Sequence, residues 1–175
     1  MSLVLRDPPA LLPLIAAVAV CDVVGPQARV KWPNDIVFEH EHGLAKLAGI
    51  LAEGRPQEGW AVLGVGLNAA VELENLPVEL RQSAATLGLP PEQIEPLLEQ
   101  LLERLELWLS EPTERLLTKW RERDVLYGRE ISWGQGSGRA EGIDGAGRLI
   151  IRRLDGGRST LDAGEVHLGE SYSPA

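Results

Sequence analysis

The chain has 175 residues, of which 44% are hydrophobic, and its formal net charge is −9. A chain of this length can bury one sizeable core and carry a small second domain at one end. The negative charge and the lack of a basic tract argue against a general nucleic-acid surface, which must be positive to displace phosphate counterions. An anionic small ligand would need local lysines or arginines, backbone N–H groups or a divalent cation.

The single cysteine, Cys21, lies in an apolar stretch at residues 11–24. One cysteine cannot form an intrachain disulfide, and these surroundings predict a buried, unreactive thiol. The stretch is shorter than the roughly 20 residues that cross a bilayer, and it contains Pro13. It also lacks the charged lead-in of a signal peptide. We therefore expect a cytoplasmic protein without membrane contact.

The chain opens with residues 2–5, which predict a short buried strand. Asp7 followed by Pro8 and Pro9 predicts a helix start with Asp7 as the N-cap, and the helix is expected over about residues 9–24. A hydrophobic strand at this place would leave an edge that aggregates or pairs with another chain.

Further strands are predicted from runs of apolar and β-branched residues, at 28–32, 35–39, 44–53 and 59–70. The first two flank Pro33, and the segment 40–42, His-Glu-His, is expected at a hairpin tip without a third metal ligand. The strand at 59–70 is apolar almost throughout, which predicts burial on both of its faces. Together these strands predict a sheet with the first helix packed across it.

The second half begins with a mixed, proline-punctuated segment at 71–88, expected to be a loop with a short turn of helix. Pro91 opens a long predicted helix whose apolar residues recur at three-to-four spacing: Ile94, Leu97, Leu98, Leu101, Leu102, Leu105 and Trp108. Another helix is expected around residues 112–124, with Trp108 and Trp120 in the core. After Asp124, short β-type runs separated by glycines predict a small barrel, with a frayed end at 170–175.

The pentad Lys-Trp-Pro-Asn-Asp at residues 31–35 interrupts the strand pattern with polar groups. Pro33 cannot donate to a strand ladder, so Asn34 and Asp35 are expected at a strand end or a bulge beside the sheet. The alternative is an ordinary turn, because Asn and Asp after proline are typical turn residues.

Two later segments place polar groups and glycines in apolar strands. Lys46 stands in a run almost free of other polar groups, where a cation is costly unless an anion meets it. The alternative is an exposed lysine on an edge strand. Gly64 and Gly66 point the same way from one strand and predict an open floor, and Asn68 closes that strand. No GxGxxG or GxxxxGK phosphate motif is present.

Three segments, KWPND, KLAGILAE and GVGLN, resemble in this order the catalytic domain of biotin protein ligases. WRERD, YGREI, AEGIDGAGRLII and AGEVHL resemble the linking helix and the SH3-like C-terminal domain of the same enzymes. The implied fold is α+β: a mixed β-sheet with helices packed on it, N-terminally incomplete, in the class II synthetase-like biotin ligase fold. This catalytic domain would span residues 1–124, and a small SH3-like β-barrel residues 125–175.

The family joins biotin to ATP as biotinyl-5′-AMP and then passes the biotinyl group to a lysine of biotin carboxyl carrier protein, an acetyl-CoA carboxylase subunit. The resemblance makes Lys46 the catalytic cation that contacts the biotin carboxyl and the phosphate, by electrostatic stabilisation. It assigns Asn34 and Asn68 to the adenylate, and Asp35 to ATP and Mg²⁺.

The same resemblance places Gly64 and Gly66 in the floor under biotin, with Gly49 and Leu51 beside it. Lys31 would add a second positive charge near the phosphates, or be simply solvated.

The sequence departs from the family pattern in lacking the GRGRxGR loop, the Ser-Thr pair that contacts the biotin head group, and the DNA-binding domain of some members. The chain is therefore expected to be a fragment, a short gene model or a divergent protein. The alternatives to ligase activity are a non-catalytic binding or scaffold fragment and a ligase for a related acid such as lipoate. A homodimer through sheet edges is also expected.

Overall fold

The structure is a computed structural model that describes residues 1–41, 43–55, 58–134 and 136–169. The helices are α1 (Leu12–Val24), α2 (Val78–Arg81), α3 (Ile94–Ser110) and α4 (Thr113–Arg121). The strands of the first half are β1 (Ser2–Arg6), β2 (Arg29–Lys31), β3 (Asp35–His40), β4 (Gly43–Arg55) and β5 (Trp60–Leu67). Those of the second half are β6 (Glu130–Trp133), β7 (Gly136–Ile143), β8 (Leu149–Arg153), β9 (Arg158–Leu161) and β10 (Val166–Leu168).

The first sheet has the strand order β1-β5-β4-β3-β2, and each neighbouring pair is antiparallel. Helix α1 lies across one face of this sheet, while α3 and α4 pack against α1 from the other side. This sandwiched position explains why α1 is apolar all round and why its residues 16–21 are fully buried. The α+β class predicted from the sequence is confirmed.

Strand β5 is buried on one face only, so the prediction of burial on both faces is wrong. Ala61, Leu63 and Val65 point into the core under α1, whereas the residues between them remain partly accessible. The cause is that α1 covers a single face of the sheet. The opposite face, at β4 and β5, is the floor of the site described below.

The start of α1 also differs from the expected one. The cap position is Leu11 rather than Asp7, which lies four residues earlier with a φ of 47°. The backbone N–H of Asp7 donates to the Gly59 carbonyl at 2.8 Å, and the first turn forms only after Pro9. Consecutive prolines hold the chain extended, which separates Asp7 from the helix.

Helix α3 buries a narrower face than its sequence pattern predicts. Leu101, Leu105 and Trp108 are buried, whereas Ile94 and Leu98 remain about 40% exposed. The predicted burial of Trp108 and Trp120 is confirmed. The reason for the narrower face is that α3 packs mainly on one neighbour, α1.

The second sheet has the strand order β10-β6-β7-β8-β9, again with antiparallel pairs. We call residues 125–169 the C-terminal β-domain; a domain boundary near 125 remains a prediction. Its core joins that of the first sheet in one hydrophobic cluster. At the junction, Val30 exchanges backbone hydrogen bonds with Arg123 and Val125, at 2.8 and 3.0 Å.

The structure also bears on the expectations for Cys21 and for a membrane span. Cys21 is buried, as predicted, and this burial raises the pKa of its thiol to about 12. No helix in the described ranges is long and apolar enough to span a membrane. His42 and the expected frayed end at 170–175 lie outside the described residues.

Asp124, between α4 and β6, gives the fold a testable pH dependence. One carboxylate oxygen accepts from the Leu126 N–H at 2.9 Å, while Oδ2 is buried without a partner among the described residues. Burial raises the carboxyl pKa to about 6. Because the folded state holds this proton more tightly, stability falls as pH rises from about 4, the pKa in the unfolded chain, to about 6. Above about pH 6 the contribution of Asp124 to stability stays at its lower value.

Asp124→Asn should therefore be more stable than the parent at pH 7.5, with a free energy of unfolding higher by about 1–3 kcal/mol. This difference should vanish near pH 4. Urea unfolding from pH 4 to 8 measures this difference. Asp162→Asn, at a side chain that is 81% exposed, is the matched control and should follow the parent curve. An Asp124→Asn curve parallel to the parent's at all pH values would contradict the assignment.

Candidate active site

The pentad at residues 31–35 forms the turn of the hairpin between β2 and β3. Lys31 ends β2 and lies opposite Asp35, the first residue of β3. The turn alternative is thus confirmed together with the expectation that Asn34 and Asp35 stand at a strand end. Asn34 connects this turn to β4 by two hydrogen bonds. Its side-chain Nδ2 donates to the Ile50 carbonyl at 2.7 Å, and its backbone carbonyl accepts from the Ile50 N–H at 2.9 Å.

Strand β4 contains a β-bulge that decides which way Lys46 points. Ile36 of β3 lies opposite Ala48, but the next residue, Val37, lies opposite Lys46, so Leu47 is an extra residue. Such an insertion inverts the alternation of side chains along a strand. Leu47 and Ala48 are therefore both buried, and Lys46 emerges on the open face of the sheet.

Lys46 is held on this face by Asp35, with 2.6 Å between Nζ and Oδ1. The missing side chain of Gly49 makes room for the pair, since a Cβ there would lie 3.3 Å from Lys46 Nζ. The lysine side chain is 52% exposed and that of Asp35 22%. An ion pair this exposed contributes at most about 1 kcal/mol to stability. Its geometry leaves the ammonium accessible to a ligand.

The edge-strand alternative for Lys46 is wrong. Strand β4 is the central strand of the sheet, with β3 on one side of Lys46. On the other side the Lys46 backbone donates to the Ser83 carbonyl and accepts from the Ala85 N–H, both at 2.7 Å. Its backbone is therefore fixed from both sides.

The predicted glycines line the open face next to Lys46. Gly66 lies opposite Gly49, and Gly64 lies opposite Leu51, which is 57% exposed. Residues directly opposite in an antiparallel pair project from the same face. A Cβ on Gly66 would come no closer than 3.9 Å to any atom outside its neighbours, so the space above it is open. We call Gly49, Gly64 and Gly66 the glycine floor.

Asn68 follows β5 and holds the next segment of chain against β4. Its Nδ2 donates to the Ala85 carbonyl at 3.0 Å, and its backbone N–H donates to the Leu47 carbonyl at 2.9 Å. Within the described part of the chain, the side-chain oxygens of Asn68 and Asn34 accept no hydrogen bond. Both amides therefore combine a structural donor with an oxygen that a ligand can use.

Two cavities of about 320 Å³ each meet at Lys46. The floor cavity lies over Gly49 and Gly66, the two residues of the glycine floor that line it. It has a polar end and an apolar wall, formed by Lys46, Asn68, Val71, Leu76, Leu80 and Ala84. The pentad cavity lies between the hairpin turn and the C-terminal β-domain, and its lining includes Lys31, Asn34, Asp35, Lys46 and Glu165.

Sequence reasoning missed both outer walls. The sequence predicts a loop with a short turn of helix for residues 71–88, without a role in the site, and it indicates no role for Glu165. Neither follows from local pattern, because Glu165 reaches the pentad through the packing of a second sheet 130 residues later in the sequence.

The carboxylates suit a metal that arrives with its ligand. Among the described residues no group of three or more His, Cys, Asp or Glu side chains could hold a metal ion. Asp35 and Glu165 are the carboxylates that line the pentad cavity. One or two carboxylates together with phosphate oxygens suit Mg²⁺ bound to a nucleotide triphosphate.

Lys46 therefore lies between a cavity with an apolar wall and a cavity lined by polar groups, on the open face of the sheet. The Biotin protein ligase C terminal domain family matches residues 128–169. Over 97% of its length the chain is 27% identical to the bifunctional ligase/repressor BirA of Bacillus spizizenii, and it covers 58% of that protein. Over 50% of its length it is 35% identical to BirA of Bacillus subtilis, of which it covers 30%.

The fold matches that of a solved biotin protein ligase from Aquifex aeolicus in complex with biotin and ATP. The TM-score is 0.77 at 23% identity, over 97% of this chain and 77% of that one. The chain is thus similar to these ligases over most of its length, and its residues 128–169 match the family of their C-terminal domain. It spans about half the length of the first of the relatives named above and less of the second.

Gly66→Val should block the floor cavity without harming the fold, because the added atoms enter open space. We expect at least about tenfold weaker binding of biotin, measured by isothermal titration calorimetry, and a change in stability of less than about 1 kcal/mol. Glu53→Val, on the same face of β4 but farther from Lys46, is the control and should bind like the parent. Unchanged biotin binding by Gly66→Val would show that the floor is not a ligand surface.

Proposed function

We propose that this chain catalyses the joining of biotin to ATP as biotinyl-5′-AMP and the transfer of the biotinyl group to a lysine of biotin carboxyl carrier protein. The observation that carries this proposal is the position of Lys46 between the floor cavity and the pentad cavity. Biotin would lie over Gly64 and Gly66, beside Gly49 and Leu51. The triphosphate would lie toward Lys31, Asn34 and Asp35.

In the first step, a carboxylate oxygen of biotin forms a bond to the α-phosphorus of ATP. The bond from that phosphorus to the oxygen bridging the β-phosphate breaks, and pyrophosphate leaves with the electron pair. Lys46 can neutralise the charge on the α-phosphate oxygens and orient the attacking carboxylate, because its ammonium borders both cavities. Asp35, which holds this ammonium at 2.6 Å, would also face the Mg²⁺ bound to ATP.

In the second step, the ε-amine of the carrier lysine attacks the acyl carbon of the mixed anhydride. An amide forms as the amine nitrogen releases one proton to water, and AMP leaves with the electrons of the broken carbon–oxygen bond. Lys46 again faces the departing phosphate, since the anhydride links the contents of the two cavities. Asn68 would contribute its side-chain oxygen on the nucleotide side.

Two observations bear on the lipoate and scaffold alternatives. The family match of the C-terminal β-domain supports biotin over lipoate as the acid. The glycine floor has an open face among the described residues, which supports weak retention of the adenylate and keeps the scaffold alternative testable.

A homodimer is supported by the free edge of β1. Among the described strands it pairs with β5 on one side only, and its Val4 is 74% exposed. Unpaired backbone groups beside an exposed apolar side chain favour pairing with another strand.

Lys46→Met should abolish biotin-dependent exchange of labelled pyrophosphate into ATP, lowering its rate by about 10²-fold or more, because the charge over the α-phosphate is lost. Its stability should change by less than about 1 kcal/mol, since the ion pair is exposed. Lys119→Met is the matched control: this lysine is likewise exposed and ion-paired, to Glu122 at 2.8 Å on α4.

Equal exchange by Lys46→Met and the control would refute the catalytic role of Lys46. A parent chain that binds ATP and biotin but gives no exchange would identify the scaffold alternative as correct. Exchange with lipoate in place of biotin would identify the lipoate alternative.

Asp35→Asn should weaken the use of Mg²⁺-ATP while leaving biotin binding nearly unchanged, because the carboxylate faces the pentad cavity. We expect the Mg²⁺ concentration for half-maximal pyrophosphate exchange to rise by at least about tenfold. Glu53→Gln, a carboxylate on the same sheet outside this cavity, is the control. A Mg²⁺ dependence identical to the parent's would remove Asp35 from the nucleotide site.

A further inference from the structure

We infer that the C-terminal β-domain positions the pentad through one buried hydrogen bond, from Trp32 Nε1 to the carbonyl of Gly147. The catalytic consequence rests on the proposed function, whereas the positioning itself rests on the contacts described here. In this role Trp32 and Gly147 are positioning residues that act through Asn34 and Asp35.

The bond fixes the turn at its start. Trp32 is 2% exposed, and its indole N–H donates to the Gly147 carbonyl at 3.0 Å. Two residues later, Asn34 is bound to Ile50 of β4 through its backbone and its side chain. The turn is therefore attached to the C-terminal β-domain before Pro33 and to the first sheet after it. Asp35 follows directly.

Gly147 is itself held in a rigid turn between β7 and β8. Its N–H donates to the Asp144 carbonyl at 3.1 Å, and Asp144 Oδ1 accepts from the backbone N–H groups of Ala146 and Arg148 at 2.9 and 3.0 Å. Gly147 has a φ of 79°, which disfavours other residues. The carbonyl that receives the indole proton is therefore fixed in place.

The same turn contacts the start of α1. A Cβ on Gly147 would lie 3.1 Å from a methyl carbon of Leu14 and 3.2 Å from one of Leu11. A larger residue here would need the leucine side chains to move by a few tenths of an ångström and would also be strained at this φ. The turn thus connects the β-domain, α1 and the pentad at one point.

A buried indole N–H is costly to leave without an acceptor, so the orientation of Trp32 follows the position of the Gly147 carbonyl. The β-domain also supplies Gly164, Glu165 and Val166 to the lining of the pentad cavity. A shift of this domain would therefore change one wall of the cavity and the hairpin turn opposite it together.

Trp32→Phe tests the bond, because it removes the indole N–H and keeps an aromatic ring. Its control is Arg121→Met, which removes a hydrogen bond of similar length at the same junction, from Arg121 Nη2 to the Ile143 carbonyl at 2.9 Å. Amide hydrogen exchange of residues 34–36 is the first readout. It should become at least about tenfold faster in Trp32→Phe and stay unchanged in the control.

Gly147→Ala approaches the same bond from the β-domain. Gly156→Ala is its control, because Gly156 has nearly the same φ, 82°, but open space around the position of a Cβ. Both variants introduce backbone strain, and only Gly147→Ala should also accelerate amide exchange at residues 34–36. In pyrophosphate exchange, Trp32→Phe and Gly147→Ala should lower kcat by about tenfold with a nearly unchanged KM for biotin.

Amide exchange at residues 34–36 that is unchanged in Trp32→Phe, or equally faster in Arg121→Met or Gly156→Ala, would overturn the inference. A parent chain without pyrophosphate exchange would refute the proposed function alone. The amide exchange of the four variants would still decide whether the β-domain positions the pentad.

Discussion

The site depends on one extra residue, Leu47, in strand β4. With regular alternation along β4, Lys46 would share a face with Ala48 and Ile50 and point toward α1, where an unpaired cation is costly. The bulge instead puts Lys46 on the face of Gly49, within reach of Asp35 at 2.6 Å. A local change of register therefore brings the cation, the carboxylate and the glycine floor together.

Much of this site could be predicted from the sequence, because its residue types do not fit a core. A lysine within an apolar strand, alternate glycines in another, and an Asn-Asp pair after proline each departed from the expected pattern. The bulge could not be predicted, since the apolar residues around Lys46 are compatible with either register. The burial of β5 could not be predicted for a different reason. Small apolar residues that leave room for a ligand cannot be told from core residues in a sequence.

The contribution of the C-terminal β-domain was also beyond sequence reasoning. Trp32 and Gly147 are 115 residues apart, and Glu165 reaches the pentad only after two sheets have packed together. The start of α1 shows a limit of predicting helix caps from local sequence. Asp7 has the chemistry of an N-cap, but the prolines after it hold the chain extended and delay the helix to Leu12.

A crystal structure with a non-hydrolysable biotinyl-5′-AMP analogue tests the central claim most directly. We expect the fused rings of biotin over the glycine floor, and Lys46 Nζ within about 3 Å of both the acyl oxygen and a phosphate oxygen. A structure in which the analogue binds elsewhere while Lys46 remains paired only with Asp35 would contradict it.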